Sequence, residues 1–101
     1  MYRTVRVRLR WLITLPTGVL PRGTSFARPA RFENQDADWK QNAWSLVIKA
    51  DGVPDTTGQQ SATARFLVDE APHEWLSVGK RFTLYEDKAL AEGVVEEILI
   101  N

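Results

Sequence analysis

The chain has 101 residues, 44% of them hydrophobic and 26% charged, with 13 basic and 13 acidic side chains and no cysteine. That length holds a single domain, residues 1–101, with one core, and the lack of cysteine excludes a disulfide scaffold, a thiolate nucleophile and a zinc–thiolate site. No apolar run approaches the roughly 20 residues of a membrane span, and no apolar segment with a cleavage site follows the N-terminal arginines, so the expectation is a cytoplasmic protein without a membrane partner.

Residues Arg3 to Ile13 alternate. Val5, Val7, Leu9, Trp11 and Ile13 fall on one face, and Thr4, Arg6, Arg8 and Arg10 on the other, because successive side chains of a strand point to opposite faces. A helix would scatter both sets, so the spacing predicts a strand with one buried and one solvated face. Residues 16–31 carry three prolines and two glycines and are expected to form a stiff, irregular connection, with Phe32 in a short strand after it. Asp36 to Trp44 suits a brief helical turn capped by Asp36. Trp44 to Ala50 alternates again, with Trp44, Leu46 and Ile48 on one side. Asp51 to Gln60 is rich in turn residues. Ser61 to Val68 reads as a strand with Ala62, Ala64, Phe66 and Val68 inward. Pro72 to Leu76 fits one helical turn, and Arg81 to Glu86 a strand with Phe82 and Leu84 on one face. A hairpin near Asp87–Lys88 leads into a last strand, about Ala91 to Ile100, in which adjacent Glu96 and Glu97 break the alternation and predict a bulge or a change of face. Some six strands without a convincing helix describe an all-β domain, either a small antiparallel barrel or a sandwich.

One segment carries a family pattern. Leu67 to Leu99 contains a strand, a proline, a short segment ending in Gly-x-Arg-Phe, an alternating strand, a hairpin and Gly-Val-Val before an apolar end. The residues are Pro72, Gly79, Arg81, Phe82, Leu84, Glu86, Gly93, Val94, Val95, Ile98 and Leu99. This resembles the third, C-terminal domain of elongation factor Tu and related translation GTPases. Val5 to Leu12 and Arg28-Pro29 are similar to that family's first strand and to an Arg-Pro pair behind its proline- and glycine-bearing loop. The resemblance implies a small closed antiparallel six-stranded Greek-key barrel that docks proteins. No phosphate-loop motif is present, so it implies no GTPase activity. The hairpin also departs from the family: a glycine-rich turn that lies close to tRNA there reads Asp87-Lys88-Ala89 here. A carboxylate at that point repels phosphate, and the lost glycine limits close backbone approach.

Catalytic parts are scarce. The single histidine, His73, stands beside Glu74 with no positioned nucleophile and is expected to be structural. Ser25, Ser45, Ser61 and Ser77 lie in no nucleophile elbow. The pairs Asp36/Asp38 and Glu96/Glu97 read as solvated charges rather than an acid–base dyad or cation site. No catalytic, cofactor or metal site is therefore expected.

Binding has more to draw on. Of four tryptophans, Trp11 belongs to the core alternation, while Trp39 and Trp75 stand in connections. There they either anchor a partner or cap the barrel ends. The anchor reading predicts that at least one of them is substantially exposed. Trp39, Trp75 and, from the Arg-Pro pair, Arg28 form the expected partner-binding set.

Charge is divided unevenly along the chain. Residues 1–50 carry nine Lys/Arg against three Asp/Glu, and residues 51–101 four against ten. Arg6, Arg8 and Arg10 project from one face at about 6.6–6.8 Å intervals, a spacing that permits an RNA phosphate track. No aromatic interleaves them as a stacking platform, and the zero net charge is far from that of a dedicated nucleic-acid binder. The expected outcome is a solvated strand face with cross-strand carboxylates from the acidic second half. The functional expectation is a non-catalytic protein-interaction module with a protein partner, with RNA binding through Arg6, Arg8 and Arg10 as the alternative.

Overall fold

A computed structural model describes residues 2–12, 25–36, 39–51 and 55–101. Six strands follow one another: β1 (Thr4–Trp11), β2 (Ser25–Phe32), β3 (Trp44–Ala50), β4 (Gln59–Phe66), β5 (Arg81–Tyr85) and β6 (Ala89–Ile100). They close into an antiparallel barrel in the order β1-β4-β3-β2-β5-β6. β2, β3 and β4 pair as a meander and β5 returns beside β2, which is a Greek key. Short 3-10 turns at Trp39–Asn42 and His73–Trp75 are the helical turns foreseen near Asp36 and Pro72. No α-helix occurs among the described residues, and no helix is long and apolar enough to cross a membrane.

Alternation decides the interior. Val5, Val7, Leu9, Phe66, Phe82, Leu84 and Val95 are all buried, as the pattern requires. Small and large residues share the limited volume, as small barrels demand. Ala30, Ala62, Ala64 and Ala91 leave room for three phenylalanines, with the Phe32 centroid 5.6 Å from Phe66 and 5.7 Å from Phe82. Gly93 lies opposite Phe82 in the β5–β6 ladder. A Cβ built on Gly93 would fall 2.3 Å from Phe82 Cζ, so the ring occupies the space a side chain would need.

Two features of the strands bear on the surface. Val7 pairs with Val95 and Arg6 with Glu97, so Glu96 is the extra residue of a bulge. The bulge leaves both Glu96 and Glu97 outside while Val95 is buried and Ile98 packs against the core. The second feature corrects an expectation: residues 25–31 are strand, not irregular connection. Pro29 is tolerated because β2 pairs with β5 only over Ala30, Arg31 and Phe32. At Pro29 the strand has an open side on which no amide donor is required.

Candidate functional site

The arginine face is wet and paired. Arg6 bonds Asp51 and approaches Glu97 at 3.6 Å, Arg8 meets Glu96 at 3.1 Å, and Arg10 bonds Glu92. Register explains these partners, since Arg10 faces Glu92 and Arg6 faces Glu97 across the β1–β6 ladder. The hydrogen bond that the Arg6 guanidinium donates to Asp51, followed by the charge of that carboxylate, holds Arg6 above its ordinary pKa. Every carboxylate involved comes from residues 51–101. The division of charge along the chain therefore becomes neutralisation across adjoining strands, and exposed pairs of this kind contribute little stability, about 0–1 kcal/mol each.

The tryptophans correct the anchor expectation, because neither Trp39 nor Trp75 is exposed. Trp39 is 7% exposed and packs on Tyr85 with centroids 4.8 Å apart. Tyr85 points outward from β5, so Trp39 is buried against the outer wall of the barrel. Trp75 is half-buried and meets Phe32 edge-on at 5.5 Å, while Lys80 Nζ lies 6.0 Å above it. It plugs the end where β4 stops and β5 starts. Trp11 serves the opposite end, donating from Nε1 to buried Gln60 at 2.9 Å. The rings are caps.

Arg28 is held locally. Its guanidinium donates to the Ala27 carbonyl at 2.7 Å, lies 3.4 Å from Glu86 and sits 5.8 Å over Phe26. The structure does not bring it together with Trp75, which stands at the far end of the barrel. His73 is half-buried, with its ring between Tyr2 and Phe66. Nε2–H donates to the Asp69 carbonyl at 2.8 Å, which fixes the connection between β4 and β5.

Two surface features were not anticipated from the sequence. One is apolar. Among the described residues, six large hydrophobic side chains are exposed. Tyr2, Leu67, Val78, Leu99 and Ile100 share the end of the barrel where β1 begins and β4 and β6 finish; Leu12 stands at the other end. No periodic signal marks these positions, since all but Leu99 and Ile100 lie outside strands. The other is a groove of about 520 Å³ on the outer wall of β2, β5, β6 and β1. Short side chains at Thr83 and Val94 form part of its lining, with the longer Arg31, Arg81 and Tyr85 around them. Among the described residues, no group of three or more His, Cys, Asp or Glu side chains is placed to hold a metal. Compared with known proteins, the chain matches no family model, no curated protein and no solved structure.

Proposed function

We propose that this barrel is a cytoplasmic, non-catalytic protein-interaction module related to the third domain of elongation factor Tu. The observation that carries the docking role is the gathering of five exposed apolar side chains at one end. Scattered exposed hydrophobics are ordinary, whereas a concentration of them is a feature of interaction surfaces. Two of the five, Leu99 and Ile100, belong to the stretch where β6 runs past β5, whose ladder stops at Arg81 opposite Val94. The relation to the translation-factor domain is supported by the closed six-stranded barrel and by the place of Gly93 against Phe82, two positions of the resembling segment. A free domain of this kind would imitate or compete with its parent at a protein surface.

The RNA alternative has less support. Arg6, Arg8 and Arg10 each engage a carboxylate, and a phosphate backbone laid along them would have to displace those carboxylates and lie beside them.

Affinity capture from nuclease-treated lysate tests the proposal, comparing the wild-type chain with a Val78→Asp/Ile100→Asp variant whose melting temperature is unchanged. The expected result is a protein retained by the first and lost by the second. Equal capture by both, or capture that requires nucleic acid, would overturn it.

A further inference from the structure

Among the described residues, two cations in the outer-wall groove have no carboxylate within ion-pairing distance. Arg8 and Arg10 line it, but each is matched by a glutamate. Arg31 and Arg81 also line it, and among the described residues neither guanidinium has a carboxylate within ion-pairing distance. The two are diagonal neighbours. Arg31 faces Thr83 across the β2–β5 ladder, and Arg81 lies two residues from Thr83 on the same outward face. Diagonal positions of this kind stand about 7–8 Å apart. Thr83 lies on β5 directly opposite Arg31, and Tyr85 continues the same face of β5.

We infer that this groove binds an extended acidic peptide, with side-chain carboxylates two residues apart received by Arg31 and Arg81. Spacing supports the match, since alternate side chains of an extended chain are about 6.6–6.8 Å apart. A guanidinium presents a planar fork of donors that fits a carboxylate with two parallel hydrogen bonds. Charge pattern favours peptide over nucleic acid. Glu33 and Glu92 also line the groove, and Glu33 Oε1 already accepts the Arg81 backbone N–H at 3.3 Å. These carboxylates repel a continuous phosphate backbone, whereas a peptide places its charges discretely and can set neutral or basic residues beside them. Arginine clusters commonly read acidic motifs in this manner. The inference rests on the interaction-module reading and names the chemistry of a partner segment, at a surface other than the apolar end.

The test is a titration of the ¹⁵N-labelled chain at low salt with a short peptide alternating Glu and Thr. Its Gln/Thr counterpart, inorganic phosphate and single-stranded polyuridine serve as separate arms. The expected result is amide shifts at Arg31, Arg81, Thr83 and Tyr85 with the Glu peptide and none with the Gln peptide. Arg31→Gln and Arg81→Gln should each weaken binding roughly threefold, the scale of an exposed ion pair, with the rest of the spectrum unmoved. Three outcomes would overturn the inference: no shifts with the Glu peptide, shifts elsewhere on the barrel, or a stronger response of the same amides to phosphate or polyuridine. Failure here leaves the capture experiment at Val78 and Ile100 unaffected, so the two readings fall separately.

Discussion

Gly93→Ala is the smallest change that interrogates the barrel interior. The added methyl carbon would sit 2.3, 2.6 and 2.9 Å from Cζ, Cε2 and Cε1 of Phe82, all closer than carbon atoms approach without repulsion. The ring has little room to retreat, because Phe32 lies 5.7 Å away on one side and Phe82 itself is 3% exposed. Overpacking of a filled core costs about 1–3 kcal/mol, and replacing a strand glycine by alanine returns roughly 0.5–1 kcal/mol. The expected net loss is about 1–2 kcal/mol, or roughly 5–15 °C in melting temperature for a domain of this size. Urea denaturation with an unchanged m-value measures it. A second substitution, Phe82→Leu, removes the far ring atoms and should make the two losses sub-additive by about 1 kcal/mol in a double-mutant cycle. A Gly93→Ala chain as stable as wild type, or strict additivity with Phe82→Leu, would refute the assignment of Gly93 to ring clearance.

Three further outcomes are expected. Trp75→Ala should destabilise the domain by about 3 kcal/mol, as a lost end cap, and Trp39→Ala by a similar amount, as a ring buried against Tyr85 on the wall; a melting curve unmoved by either would return that ring to the role of surface anchor. Asp55 accepts from the Thr57 hydroxyl and then from the Gln59 and Thr57 amides, which lowers its pKa in the folded chain. A carboxyl lowered on folding contributes stability above its unfolded value and loses it as pH falls, so melting temperature should drop below about pH 4, and Asp55→Ala should flatten that acid limb. Replacing Arg6, Arg8 and Arg10 together by Ser should leave tRNA binding, measured across a salt series, unchanged; a uniform loss with the salt slope reduced by about three would restore the phosphate-track reading.

What could be read from the chain in advance follows from which interactions are local. The faces of β1 were legible because period-two alternation needs no knowledge of the partner strands. An irregularity at Glu96 was legible because two adjacent glutamates cannot both face outward on a regular strand, but that it is a bulge and not a change of face is set by the pairing with β1. β2 was not: Pro29 looks like a breaker until it is known that the β5 ladder begins one residue later, a fact set by the length of a strand more than fifty residues away. Trp39 was misread for the same reason. Its neighbours Asp36, Asp38, Lys40 and Gln41 are polar, yet the tertiary packing of its connection against Tyr85 buries the ring. The groove arginines were invisible, since Arg31 and Arg81 lie fifty positions apart and become neighbours only through the Greek-key return of β5.

The seam of the barrel has a consequence for how the chain is made. β1 is bonded on one side to β4 and on the other to β6, so the first strand waits for the last before the wall can close. During synthesis Val5, Val7 and Leu9 leave the ribosome well before the surface that covers them, including Val95 and Ile98. Pairings between distant parts of a chain form slowly because loop closure must precede the contacts that reward it. An unfinished chain of this kind presents an apolar strand with two open edges, which is a hazard for association between nascent copies. The arginines alternating along β1 counter that hazard: until their carboxylates from residues 51–101 arrive, the strand carries an unneutralised positive charge at every second position. Two incomplete chains brought edge to edge would then repel one another. Pairs that add little to the finished barrel therefore leave, while it is incomplete, a charge that keeps its most exposed edge apart from its neighbours.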